Sequence, residues 1–224
     1  MNQLFWHEEE TTAANTLRDD VIDLAFEINC RSLPVDHAWD LSTALAAILP
    51  WWTSEPFVGL HLIHGGDSGN GWQCPEGNNE LIYLTRRTRL ILRLPRTRIA
   101  ETRATLSGQN LNISGYPLVI GTATERPLYP HPALYARQVI DNNSEENEFL
   151  AWTATELQKI ALRFNKLLPG KKKVLITPDG EYQTRSLLVA DLSLNDSLEL
   201  QRRGLGPGRT LGCGIFTPHK TLAA

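Results

Sequence analysis

Two histidines stand where a proton-transfer group would be useful. His37 follows Asp36 at the start of a predicted helix, and the positive end of a helix disfavours the imidazolium form. A neutral imidazole there is a base near neutral pH. His61 sits on a predicted strand and offers the same chemistry. His64 follows three residues later, and strand alternation sends the two rings to opposite faces, which argues against a metal shared between them. No Ser/His/Asp arrangement, HExxH motif or acidic metal cluster stands out. Cys30, Cys74 and Cys213 lack metal-ligand spacing and read as reduced thiols. A nuclease built from these residues would work without metal, and no cofactor is expected.

The other chemistry-bearing stretch is at the C-terminus. Gly204, Gly206, Gly208, Gly212 and Gly214 fall within eleven residues, with Arg202, Arg203 and Arg209 among them. Glycine lets a backbone turn sharply or approach a ligand closely. Arginines beside such a loop suit a polyanion, and RNA is the first candidate. A phosphate-binding loop needs a Lys-Ser/Thr pair and a helix after the glycines, and a dinucleotide fingerprint needs strand, turn, then helix. Here a predicted helix precedes the glycines and Ile215-Phe216 follows as a strand, so both nucleotide readings fail. A plain turn between helix and strand is the competing reading.

Charge is distributed unevenly along the 224 residues. Residues 1–80 hold thirteen acids and two bases, whereas residues 81–224 hold twelve acids and twenty bases, within a net charge of −3. Seven arginines and one acid, Glu101, lie between Leu81 and Ala104. Such asymmetry hides a basic surface inside an unremarkable isoelectric point. Arg87, Arg89 and Arg93 share the face opposite Leu90, Leu92 and Leu94, and are candidate RNA contacts; a solvated sheet face is the bland alternative. No apolar run approaches the ~20 residues of a membrane span, and residues 1–10 carry no signal-peptide pattern. A cytoplasmic protein without membrane contact is expected.

The elements that position these residues follow from period and punctuation. Strands are predicted over 21–28, 57–63, 81–94 (as a long strand or a hairpin) and 111–120, with helices after Asp36 and over 99–106. Prolines 127, 130 and 132 mark a linker. Beyond it come a strand over 134–141, a helix over 145–168, strands over 173–176 and 184–192, a helix over 194–203 and the strand at 215–216. Each half reads β-α-β-β-α-β, so the expected fold is α+β with tandem ferredoxin-like domains and a C-terminal glycine-rich loop. Expected boundaries are an acidic arm at 1–17, one domain at 18–124 and a second at 132–224. A flexible loop is expected near 65–71. No aromatic stacking motif of a generic RNA-recognition domain stands out on the strands.

Several blocks of the sequence resemble a known family. Leu33-Pro34-Val35-Asp36-His37, Gly59-Leu60-His61-Leu62-Ile63, Leu90-Ile91-Leu92-Arg93-Leu94-Pro95, Pro132-Ala133-Leu134-Tyr135-Ala136-Arg137 and the stretch from Gly204 to Phe216 are similar to CRISPR repeat-processing endoribonucleases of the RAMP superfamily, in their myxobacterial-type subgroup. The resemblance spans about residues 20 to 220. It implies a metal-independent endoribonuclease that binds the stem-loop of a CRISPR repeat and cuts at its base. The 2′-OH would attack the adjacent phosphate, giving a 2′,3′-cyclic phosphate or 3′-phosphate and a 5′-OH. A histidine would act as base or acid, with His37 slightly preferred over His61. The glycine loop would cradle the RNA backbone, and Arg202, Arg203 and Arg209 would neutralise phosphates. Partners implied are repeat RNA and, if the product is retained on its 3′ hairpin, other Cascade subunits. A catalytically inactive hairpin-binding subunit is the alternative.

Overall fold

The computed structural model describes residues 20–65, 80–142 and 145–219. The expected arm at 1–17 and most of the expected loop at 65–71 lie outside the described residues. In the first half β1 (Val21–Asn29) and β2 (Ser32–Pro34) precede helix α1 (Ala38–Ile48) and β3 (Gly59–His61). After β4 (Leu81–Tyr83) come β5 (Arg89–Pro95), α2 (Ile99–Leu106), β6 (Asn110–Ile113) and β7 (Tyr116–Pro127). The second half contains β8 (Ala133–Ile140), α3 (Glu146–Lys159), β9 (Lys166–Thr177), β10 (Gly180–Ala190), α4 (Leu194–Arg203) and β11 (Phe216–Pro218). Strand order is β3-β5-β1-β7-β6 in the first sheet and β11-β8-β10-β9 in the second, and every pairing is antiparallel. β2 and β4 form a separate two-stranded sheet.

Alternation explains the first core. Ile22, Leu24 and Phe26 of β1 face inward with Leu90, Leu92 and Leu94 of β5, and all six are fully buried. Leu41 and Leu45 of α1 cover them, four residues apart on one helical face. Burying each such side chain contributes roughly 1.5–3 kcal/mol relative to leaving it in water. Pro50 follows the last residue of α1 after Leu49 turns extended, and Trp52 then closes the cluster, its indole donating to Ser42 Oγ. The second core gathers Leu134, Phe149, Leu157, Leu187, Leu200 and Phe216. Ala38, Ile140, Leu175 and Cys213 form a third cluster where the halves meet. Burial pushes the Cys213 thiol up to about 12, so it stays protonated there.

Four expectations change. The segment 81–94 divides between two sheets, because the chain turns at Thr85–Thr88, where Thr88 N donates to the Thr85 carbonyl. The strand at 111–120 is a hairpin, turning at Ser114 and Gly115 with φ of 52° and 87°. The long helix stops at Lys159, and Ala161 takes a φ of 56° that no helix continues. Leu162 and Phe164 still reach the second core, from a loop rather than a helix face. Finally, β7 runs through Glu125, Arg126 and Pro127, so the first three residues of the expected linker are strand.

Both faces of β1 are covered. Val21 and Ala25 point away from the α1 side yet are buried, because α4, β11 and the glycine segment pack there. That second layer decides the fate of the residues expected to do chemistry.

Candidate nucleic-acid interface

Three neighbouring strands bring Asp23, Arg93 and His61 together. Asp23 of β1 lies opposite Arg93 of β5, and Arg93 lies opposite Gly59 of β3, two residues from His61. Arg93 grips Asp23 with both ends of its fork, Nε to Oδ1 at 2.8 Å and Nη2 to Oδ2 at 3.0 Å. His61 Nε2 meets Asp23 Oδ1 at 3.2 Å. Burial alone would raise the Asp23 carboxyl, but Arg93 and His61 overcome it and hold the group well below the usual carboxylate range. Asp23 is therefore an ionised acceptor, so Nε2 of His61 donates to it, and in the neutral ring the lone pair falls on Nδ1. A carboxylate that fixes a histidine tautomer is the arrangement that a general base requires.

His61 opens onto a cleft of about 420 Å³. Arg87, Arg89, Arg126 and Arg137 line it, drawn from the turn before β5, from β5, from β7 and from β8. Tyr135 and Thr217 contribute from β8 and β11, so the cleft spans both halves. Among the described residues no carboxylate lines it. All four arginines come from the basic stretch after residue 80. Concave, cationic and flanked by an aromatic ring, the cleft fits a nucleic acid backbone.

His64 lines this cleft too. Alternation fails to predict that, because β3 ends at His61 and the chain leaves the sheet before His64. Its Nδ1 donates to the Leu62 carbonyl at 2.7 Å. Arg126 and Arg137 are further cleft residues that the sequence did not single out. Tyr135 and Arg137 are two apart on a strand, which places them on one face and is the signal that could have found them.

His37 sits elsewhere. It is 2% exposed, donates from Nδ1 to the Pro34 carbonyl at 2.9 Å and accepts at Nε2 from the Ile63 N–H at 3.2 Å. Burial lowers its pKa, outweighing the Pro34 and Val35 carbonyls that favour the charged form. Both ring nitrogens are committed to backbone, which counts against the expected preference for His37 as the base: the ring ties β2 to the segment just after β3.

Comparison with known proteins gives this arrangement a family. The family described as Cas6 Crispr matches residues 22–221. The chain belongs to the Cas6 family. A "CRISPR-associated endonuclease Cas6" from Myxococcus xanthus is 29% identical over 198 residues, covering 88% of this chain and 81% of that protein. Among solved structures, a "CRISPR associated protein Cas6" has a similar fold, with a TM-score of 0.65 at 13% identity, over 89% of this chain and all of that one. A structure described as "An RAMP protein binding different RNA substrates" gives 0.58 at 12% identity, over 89% of this chain and 98% of that one.

In this Cas6-family chain two arginines of the glycine segment, Arg202 and Arg209, face inward, which counts against the expected phosphate cradle. Arg93 is 1% exposed and also donates from Nη1 to the carbonyls of Gln201 and Phe216, at 2.7 and 2.8 Å. Arg202 is gripped by Asp20 at 2.7 Å and stacks over Phe57 at 4.0 Å. Arg209 donates to the carbonyls of Val58, Phe57 and Arg202. Burial, and to a lesser degree Arg93, pushes its pKa down to about 9, which still leaves it charged at neutral pH. These guanidiniums stitch the C-terminal segment to the first half. Arg203 is exposed but bonded to Glu199 on its own helix.

The glycines serve the same close packing. Gly204 takes φ 69° and ψ −163°, a region reached essentially by glycine alone. A Cβ on Gly214 would overlap the Leu205 carbonyl, and one on Gly212 would overlap Leu62. Gly206 and Gly208 back onto Trp152 and Ile140 instead of lining the cleft. Of the five, Gly212 alone is a cleft residue. Gly212→Ala should lower stability by about 2–4 kcal/mol, the sum of a left-handed backbone and a forced contact. Urea denaturation of the two proteins measures it; an unchanged midpoint would show that Leu62 yields freely.

Proposed function

We propose that this protein is a metal-independent endoribonuclease that binds the stem-loop of a CRISPR repeat in the basic cleft and cuts at the base of the stem. The observation that carries the reading is His61, held by an ionised Asp23, opening onto a cleft lined by four arginines. The matching strand orders of the two sheets support a tandem ferredoxin-like fold, with one unit up to the linker near 128–132 and a second after it. The names of the relatives, an endonuclease and an RNA-binding RAMP protein, support an RNA substrate.

In this mechanism Nδ1 of His61 takes the proton from the 2′-OH. The 2′-oxygen then forms a bond to the adjacent phosphorus as the bond to the 5′-oxygen breaks. Protonated His64 gives its proton to the departing 5′-oxygen, leaving a 5′-OH and a 2′,3′-cyclic phosphate. Arg87, Arg89, Arg126 and Arg137 neutralise flanking phosphates and the charge gathered at the pentacoordinate phosphorus. After the cut the protein stays on the 3′ hairpin of the RNA, where it could join other Cascade subunits.

Purified protein should cleave repeat RNA in EDTA, and the product ends should be a cyclic phosphate and a 5′-OH. RNA bound but uncut would instead support the inactive hairpin-binding subunit. Arg87→Ala and Arg89→Ala should each weaken hairpin binding and lower the salt slope by about 1, as expected for loss of one phosphate contact. Unaltered affinity and slope in both would remove them from the interface.

A further inference from the structure

A second hollow, of about 710 Å³, lies beside the cleft and has no part in the chemistry above. Its walls come from the end of β1, the start of β2 and the strand β4. Tyr83 stands in it with 74% of its surface exposed, the most exposed large hydrophobic side chain among the described residues. On β4 it follows Ile82, which alternation sends inward, and among the described residues nothing covers most of the Tyr83 ring. Arg31 and Arg86 flank it, and both are exposed. No carboxylate among the described residues pairs with either one. Thr85 lines both this hollow and the cleft, so the two are joined at the Thr85–Thr88 turn.

An exposed aromatic ring between exposed guanidiniums has a specific use. Every nucleobase has a π face, and stacking on tyrosine is tolerant of sequence. Phosphates on either side of the stacked base would meet the arginines. A paired base has both faces covered within its helix, so such a subsite selects unpaired nucleotides. Building on the RNA reading above, we propose that the Tyr83 hollow binds single-stranded RNA adjoining the stem, stacking one base on Tyr83 with its phosphates at Arg31 and Arg86. The strand reaches it from the cleft over the Thr85–Thr88 turn. Cleavage would then favour hairpins that carry an unpaired flank.

The test compares two fluorescent hairpins on the full-length chain, one with a blunt stem and one with an unpaired extension of about six nucleotides. Deoxyribose at the stem base prevents cutting. The extension should tighten binding to the wild-type protein by about 10-fold. Tyr83→Ala should abolish that gain while leaving the blunt hairpin's affinity unchanged, and Tyr83→Trp should keep it. Arg31→Ala and Arg86→Ala should each reduce the gain. The proposal is overturned if the extension gives no tightening, or if Tyr83→Ala alters both RNAs equally or neither, the last marking the ring as a protein contact. Blunt hairpin bound with no response to the extension sinks only the subsite. Failure of the wild-type chain to bind either RNA sinks the RNA reading itself.

Discussion

His61→Ala should cut repeat RNA about 10²- to 10⁴-fold more slowly than the wild-type chain, the usual contribution of a positioned general base. The dissociation constant for uncut RNA should change little, because the neutral imidazole makes no phosphate contact in the mechanism. Single-turnover cleavage beside equilibrium binding separates the two effects. His37→Ala supplies the contrast. It removes the acceptor for the Ile63 N–H and the donor to the Pro34 carbonyl, so the loss should be about 1–3 kcal/mol of stability, with cleavage per folded molecule retained. The pH behaviour follows from its burial. The native pKa lies below the ordinary value, so the unfolded chain binds the extra proton between the two values. The His37 contribution is therefore complete above about pH 6.5 and declines below it. A cleavage rate unaffected by His61→Ala but lost in His37→Ala would reverse the roles.

Why the sequence favours His37 where the geometry favours His61 is a matter of physical scale. The helix start that suggests a base at His37 is real, and α1 begins at the next residue. What local pattern cannot show is that the Pro34 carbonyl and the Ile63 amide converge on that ring across 26 residues of chain. α2 and α4 are legible to the residue because the signals that end them are local, Ser107-Gly108 and Gly204. The Ser114-Gly115 hairpin escaped because Leu111, Ile113 and Val119 keep one period-2 pattern through a two-residue turn. Arg93 is the deepest case. Its period-2 position marks it as opposite the core, and that is correct. Only docking of α4 and β11 onto the far face turns that position into a second interior. The acidic residue Asp23 in β1 was the available clue, since an arginine on such a face is retained where a carboxylate can meet it.

That buried pair carries the largest stability effect. Arg93→Met should cost about 3–5 kcal/mol, because it leaves Asp23 charged and the Gln201 and Phe216 carbonyls without their donor. Where that variant fails to fold, Asp23→Asn keeps the shape and tests the same coupling through pH. The carboxyl is held well below its ordinary value of about 3.9, so its stabilising effect is fully present above that pH. Below it the unfolded chain takes up a proton that the native chain refuses, and stability falls by about 1.4 kcal/mol per pH unit through this group alone. Asparagine cannot titrate. The stability gap between wild type and Asp23→Asn should thus be constant from neutral pH to about pH 5 and should narrow steadily as the solution is acidified further. Urea unfolding across that range measures the gap. If it stays constant down to pH 2.5, Asp23 is not the ionised anchor of Arg93 and His61, and the tautomer assigned to His61 loses its basis.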